Sequence, residues 1–156
     1  MPNTKATDVE NAIVALLAPG GVPIASLVEV VACTPLDVNG LLKYSRVAGS
    51  NSGMGAYVRT VQVPYDQTGA GSDPIYVGDF FVQVIILRAI RQEAISSMRA
   101  SVMGAAATIR DLLLNKPLIT SPFASSPLRP TLENFAYHPQ GFVSCSQSYE
   151  TSVQIN

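Results

Sequence analysis

Charge is the scarcest commodity in this chain. Asp, Glu, Lys and Arg make up 13% of its 156 residues, 10 basic against 11 acidic for a net charge of -1, where an ordinary soluble domain carries roughly 25%. So even a balance excludes the generic nucleic-acid binder, which needs an excess of Lys and Arg to neutralise phosphates. Tryptophan is absent and histidine occurs once, at His138. The 2 cysteines, Cys33 and Cys145, stand far apart without His or Cys neighbours. That excludes a zinc-ligand spacing and a Cys-x-x-Cys redox pair, and both read as reduced, small apolar side chains of a cytoplasmic protein. Long apolar runs are missing too. Ala12–Ala18 and Phe80–Leu87 fall well short of the ~20 residues of a membrane span, and the N-terminus lacks the basic-then-apolar pattern of a secretory signal.

What is present is apolar or polar-neutral: 47% hydrophobic residues, 15 Ser and 11 Gly. A chain of this length is expected to form one domain, 1–156, whose core needs neither disulfide nor metal. Its surface has too little charge for a solitary monomer, which points to an obligate oligomer.

Periodicity places the elements. Thr7-Asp8-Val9-Glu10 has the Ser/Thr-x-x-Glu pattern of a capping box, with Thr7 as N-cap and Glu10 reaching back, and opens a helix over 7–18. Leu27–Cys33 reads as a strand, and Asp37–Val47 fits either a short helix or a bent strand. Ala48–Gly55 and Asp66–Pro74 are Gly/Ser-rich and read as flexible loops. Tyr57–Tyr65 and Ile75–Leu87 are strands of one long hairpin, the second apolar on both faces and so central in its sheet. Ile95–Leu114 carries the strongest helical stripe, Ile95, Met98, Val102, Ala105 or Ala106, Ile109, Leu112 and Leu113. Its other side is small: Ala100, Ser101, Gly104, Ala107 and Thr108. This side either covers a flat sheet of the same subunit or meets a second subunit, with Ser101, Gly104, Ala107 and Thr108 as the contacts. Leu118–Pro130 has three prolines and reads as an extended connection. Thr131–His138 and Phe142–Ile155 then read as strands of alternating character about a turn at Pro139-Gln140-Gly141. The fold class is α+β, a mixed or antiparallel sheet packed by an N-terminal helix and one long central helix.

Chemistry is sparse. No Ser lies in Gly-x-Ser-x-Gly, and His138 reads as a turn histidine. Gly53-Met54-Gly55 and Gly69-Ala70-Gly71 lack the Lys and the strand-to-helix setting of phosphate loops. Asp66, Asp73 and Asp79 do not have the spacing of an EF-hand. No catalytic residue, metal ligand or cofactor is expected. Arg88, Arg91, Arg99 and Arg110, with Lys116, outnumber Glu93 and Asp111 over 88–116; the four arginines are candidate charge contacts, to ion-pair partners in this or a neighbouring subunit or to DNA.

The order of elements, carried by Thr7–Ala18, Gly78–Leu87, Ile95–Leu114 and Phe142–Ile155, resembles the tail terminator proteins of long-tailed bacteriophages. The resemblance implies a virion protein of the tail and neck, assembled in the host cytoplasm as a hexameric ring. Such a ring caps the tail tube, ends its polymerisation and offers its other face to the head connector, while DNA passes through the lumen without specific binding and no membrane is involved. Ser50, Asn51, Ser52 and Met54 in the first loop, with Gln67, Thr68 and Ser72 in the second, are then the candidate axial contacts. The alternatives are another neck or tail-tube ring and, from a different class, a small ligand-binding or enzymatic α+β domain.

Overall fold

The computed structural model describes residues 5–32, 53–68, 75–89, 95–120, 123–138 and 141–154. Among these residues the α-helices are α1 (Ala6–Leu17) and α2 (Ile95–Leu113). The strands are β1 (Leu27–Ala32), β2 (Met54–Gln62), β3 (Tyr65–Thr68), β4 (Ile75–Ala89), β5 (Pro117–Thr120), β6 (Phe123–Pro127), β7 (Arg129–His138) and β8 (Phe142–Gln154). The main sheet runs β1-β2-β4-β8-β7, with β3 beside β4 at its far end. β1 is parallel to β2, and every other pairing is antiparallel. The expected α+β class, mixed sheet and two packing helices are what the chain adopts.

Helix α1 starts earlier than its sequence pattern suggests. Lys5 is the N-cap, and its N–H donates to the Asp8 carboxylate at 2.8 Å, so Thr7 already lies inside the helix. Glu10 does not reach back. It is buried and accepts the backbone N–H of Thr60 on β2 at 2.7 Å. Helix α2 ends where expected: Asn115 takes a left-handed φ of 56°, and the Lys116 N–H bonds the Leu113 carbonyl at 3.1 Å, an Asn C-terminal cap.

Both helices lie on one face of the sheet. Val9, Ile13 and Leu17 of α1 and Met98, Val102, Ala106, Ile109 and Leu113 of α2 pack with Phe80, Val82, Val84 and Ile86 of β4 and Val143, Cys145, Tyr149 and Val153 of β8. Each large side chain buried in this way contributes roughly 1.5–3 kcal/mol. On the opposite face Tyr57, Ile85, Leu87, Ala89 and Phe142 form a second cluster. Strand β4 is therefore buried on both faces at the centre of the sheet, as its unbroken apolar run predicts.

Three expectations change. Met54 and Gly55 are not loop but the start of β2, and Met54 is a core residue. Gly55 is required there because a Cβ would stand 2.4 Å from the Tyr57 hydroxyl, which folds back across it to bond Glu29. The second loop is shorter than 66–74, because Asp66–Thr68 pair with β4. The proline-rich 118–130 connection holds the β5–β6 hairpin, and β6 docks on β8 beyond the end of β7: the Thr151 hydroxyl donates to the Ser126 carbonyl at 2.6 Å, and the Ser152 N–H to the Ser126 hydroxyl at 2.8 Å. Cys33, the 37–47 segment and most of the 48–55 loop lie outside the described residues.

Candidate functional site

The titratable groups that might carry chemistry serve the fold. His138 Nε2 and the hydroxyl of buried Ser144 are hydrogen-bonded at 2.9 Å, across the β7–β8 turn. Among the described residues no three His, Cys, Asp or Glu side chains gather as metal ligands, and no helix is long and apolar enough to cross a membrane.

A polar network ties α2 to β7 and β8. Gln147 points inward among the apolar residues of its strand face. Its Nε2 donates to the Ala106 carbonyl at 2.7 Å and to Glu133 at 2.8 Å, and its Oε1 accepts the Tyr149 hydroxyl at 2.9 Å. Arg110 completes the set with an ion pair to Glu133 at 3.2 Å, so this candidate charge contact is satisfied within its own chain. Burial, reinforced by the Glu133 charge and opposed by Arg110, pushes the nearby Cys145 thiol up to about 12. The same causes, burial foremost, raise the Tyr149 phenol well above its ordinary value. Both groups stay protonated and chemically quiet at neutral pH. Arg99 is exposed on α2, Arg88 is half-buried on β4, and Arg91 lies outside the described residues.

The small side of α2 does not cover the sheet; the Met98–Leu113 stripe does that. A Cβ added at Gly104 would meet nothing within 4 Å. Thr108 and Gly104 are exposed, and Ser101 and Ala107 half-buried. The Ser101 and Thr108 hydroxyls turn back to their own helix, donating to the Ser97 and Gly104 carbonyls at 3.1 Å each. Ser101, Gly104, Ala105 and Thr108 form one wall of a groove of about 620 Å³ whose other lining includes Ile24–Leu27, Gly53, Met54 and Arg88. The groove thus opens beside the first residue of β1.

Of the candidate axial contacts, Met54 is buried in the core, Gln67 is exposed on β3, and Thr68 belongs to the same strand; Ser50, Asn51, Ser52 and Ser72 lie outside the described residues. On this hairpin Tyr65 and Tyr76 are diagonal cross-strand neighbours on one face, 64% and 39% exposed.

The feature that sequence reasoning missed is β7. Among the described residues it pairs with β8 on one side and forms an edge of the sheet, yet carries exposed apolar side chains on both faces: Leu132 at 57%, Phe135 at 39% and Tyr137 at 58%. Its register with β8 puts Phe135 and Tyr137 on the helix face and Leu132 on the other. The signal was present in Thr131–His138, where apolar residues occupy odd and even positions alike instead of alternating. Native edges of this length are normally blunted by charge, proline or a covering element.

The fold so described is a helix-backed mixed sheet with two unlike edges. No family model matches the chain, and no curated protein does. Solved structures similar to it include a chain of the virion of the native gene transfer agent particle, at 17% identity and TM-score 0.45 over 92% of this chain and 85% of that one. Another, of a protein whose name states no function, is 16% identical with TM-score 0.51 over 99% of both chains. The second likeness extends the fold over essentially the whole chain.

Proposed function

We propose that this protein is a structural virion subunit, a tail terminator whose ring caps the tail tube of a phage-like particle, ends tube polymerisation and seats the head connector. The observation that carries this reading is the apolar edge at β7, uncovered among the described residues, in a chain with so little charge: such a surface is suited to permanent burial by another subunit and costs little to desolvate. The element order adds to it, as does a set of polar side chains spent on joining helix to sheet. The partners in this reading are further copies of the chain in a ring, the tube protein and the head connector, with DNA passing through the lumen. The Tyr65/Tyr76 pair and the hairpin that bears it are the axial contact of choice, in place of Met54.

Negative-stain microscopy of the purified protein tests the reading. Six-fold rings are expected, and particles made without the protein should carry tails of uncontrolled length. Normal-length tails that fail to join heads would instead indicate another neck ring. A monomer that binds a metabolite would overturn the structural reading altogether.

A further inference from the structure

Among the described residues β1 and β7 form the two edges of the sheet, and these edges are complementary. β1 runs parallel to β2, and each later step across β4, β8 and β7 reverses direction, so β7 and β1 are antiparallel. A second copy placed side by side can therefore continue the sheet, β7 against β1. Side-chain faces agree with this. Leu132 on β7 and Val31 on β1 both project to the face away from the helices, and both are exposed. In the register that sets these two side by side, β7 continues past Leu27 towards the 24–26 turn. That brings Phe135 and Tyr137 to the helix face at the groove lined by Ile24, Leu27, Met54 and Gly104. One edge thus offers an exposed aromatic, and the other a groove kept open by a glycine with empty space before it.

We infer that the groove between α2 and β1 receives Tyr137 of the next copy, with β7 of that copy added to the β1 edge. Such a contact is head-to-tail: the surface used on one copy differs from that used on its neighbour, so each added copy presents a fresh edge until rotation closes a ring. Main-chain hydrogen bonds supply strand addition, and the tyrosine in its groove fixes the register. The inference rests on the ring reading above but names the surface that makes the ring.

Two single variants test it in the full-length protein. Tyr137→Ala removes the aromatic, and Gly104→Phe fills the groove; both sites are exposed in the single chain, so circular dichroism and thermal unfolding should show folded proteins. Thr108→Trp serves as a second groove-filling variant. Each variant alone is expected to run as a monomer by size-exclusion chromatography with light scattering. An equimolar mixture of Tyr137→Ala and Gly104→Phe is expected to give dimers, because one intact aromatic and one intact groove remain. Rings that persist in either variant would overturn this contact and leave the ring reading standing, and so would variants that stay monomeric when mixed. A monomeric unmodified protein would overturn both.

Discussion

Glu10 accepts the backbone N–H of Thr60 at 2.7 Å although 50 residues separate them. The register between β2 and β4 slips between Thr60 and Gln62, and a bulge of this kind leaves a backbone group out of the ladder. A buried helix carboxylate meets the strand at that place, so α1 is fastened to the sheet by a directed bond as well as by Ile13 and Leu17.

Removing that acceptor should therefore cost more than a surface change. Glu10→Ala is expected to lower the unfolding free energy by about 1.5–3 kcal/mol, and Glu10→Gln, which keeps an acceptor oxygen, by clearly less. Urea denaturation of the three proteins at one pH measures the difference.

Gln147 is the hub of the buried network, and truncating it leaves the Tyr149 hydroxyl without its acceptor and Glu133 with Arg110 as its remaining partner. Gln147→Ala is expected to destabilise by roughly 2–4 kcal/mol, from an opened cavity together with lost hydrogen bonds. Arg110→Ala, at the more exposed end of the same network, should cost less than about 1 kcal/mol. Chemical denaturation ranks the two, and the reverse ranking would contradict the network described.

Cys145 has a folded-state pKa of about 12 against 9.0 for a free thiol. Above pH 9 the unfolded chain releases this proton while the folded chain keeps it. Stability from this group is thus fully present below pH 9 and is lost as pH rises towards 12, at up to about 1.4 kcal/mol per pH unit. Tyr149, also raised, steepens the loss above pH 10. Urea midpoints measured across pH 8 to 11 should fall in that range, and Cys145→Ala should show the shallower slope. Iodoacetamide should label Cys145 only after unfolding.

Gly104 sits exposed in the interior of α2 with open space where a Cβ would be. Gly104→Ala is expected to raise stability by about 0.5–1 kcal/mol, the ordinary gain of Ala over Gly in a helix, as read by thermal or urea unfolding of dilute protein.

Local periodicity made much of the fold legible. The stripe from Met98 to Leu113 and the two-residue alternation of β8 report which side faces the core, because burial acts on every turn or every second residue. The doubly apolar run of β4 likewise announced its central place. What stayed hidden depends on distant partners. A Glu three residues after a Thr looks the same whether it bonds its own helix or reaches Thr60. Gly53-Met54-Gly55 has the composition of a loop, and only the ring of Tyr57 lying over Gly55 explains why a strand needs a glycine there. Gln147 shares the parity of Val143, Cys145 and Tyr149, but its bond to Ala106 requires knowing that α2 crosses above it. Of the proposed site, the small face of α2 was legible as a distinct face with its two uses left open, whereas its exposure, its opposite wall at 24–27 and the exposed aromatics of β7 emerged only from the three-dimensional arrangement.

The placement of β8 also governs how the molecule must be made. β4 is apolar on both faces, and its neighbour on one side, β8, is synthesised only after α2, the β5–β6 hairpin and β7. Until then the nascent chain carries a two-faced hydrophobic strand paired on one edge alone, by β2 and β3, and the contacts that complete it are long-range, which slows folding. The growing polypeptide is therefore most exposed to aggregation in the interval between β4 and β8.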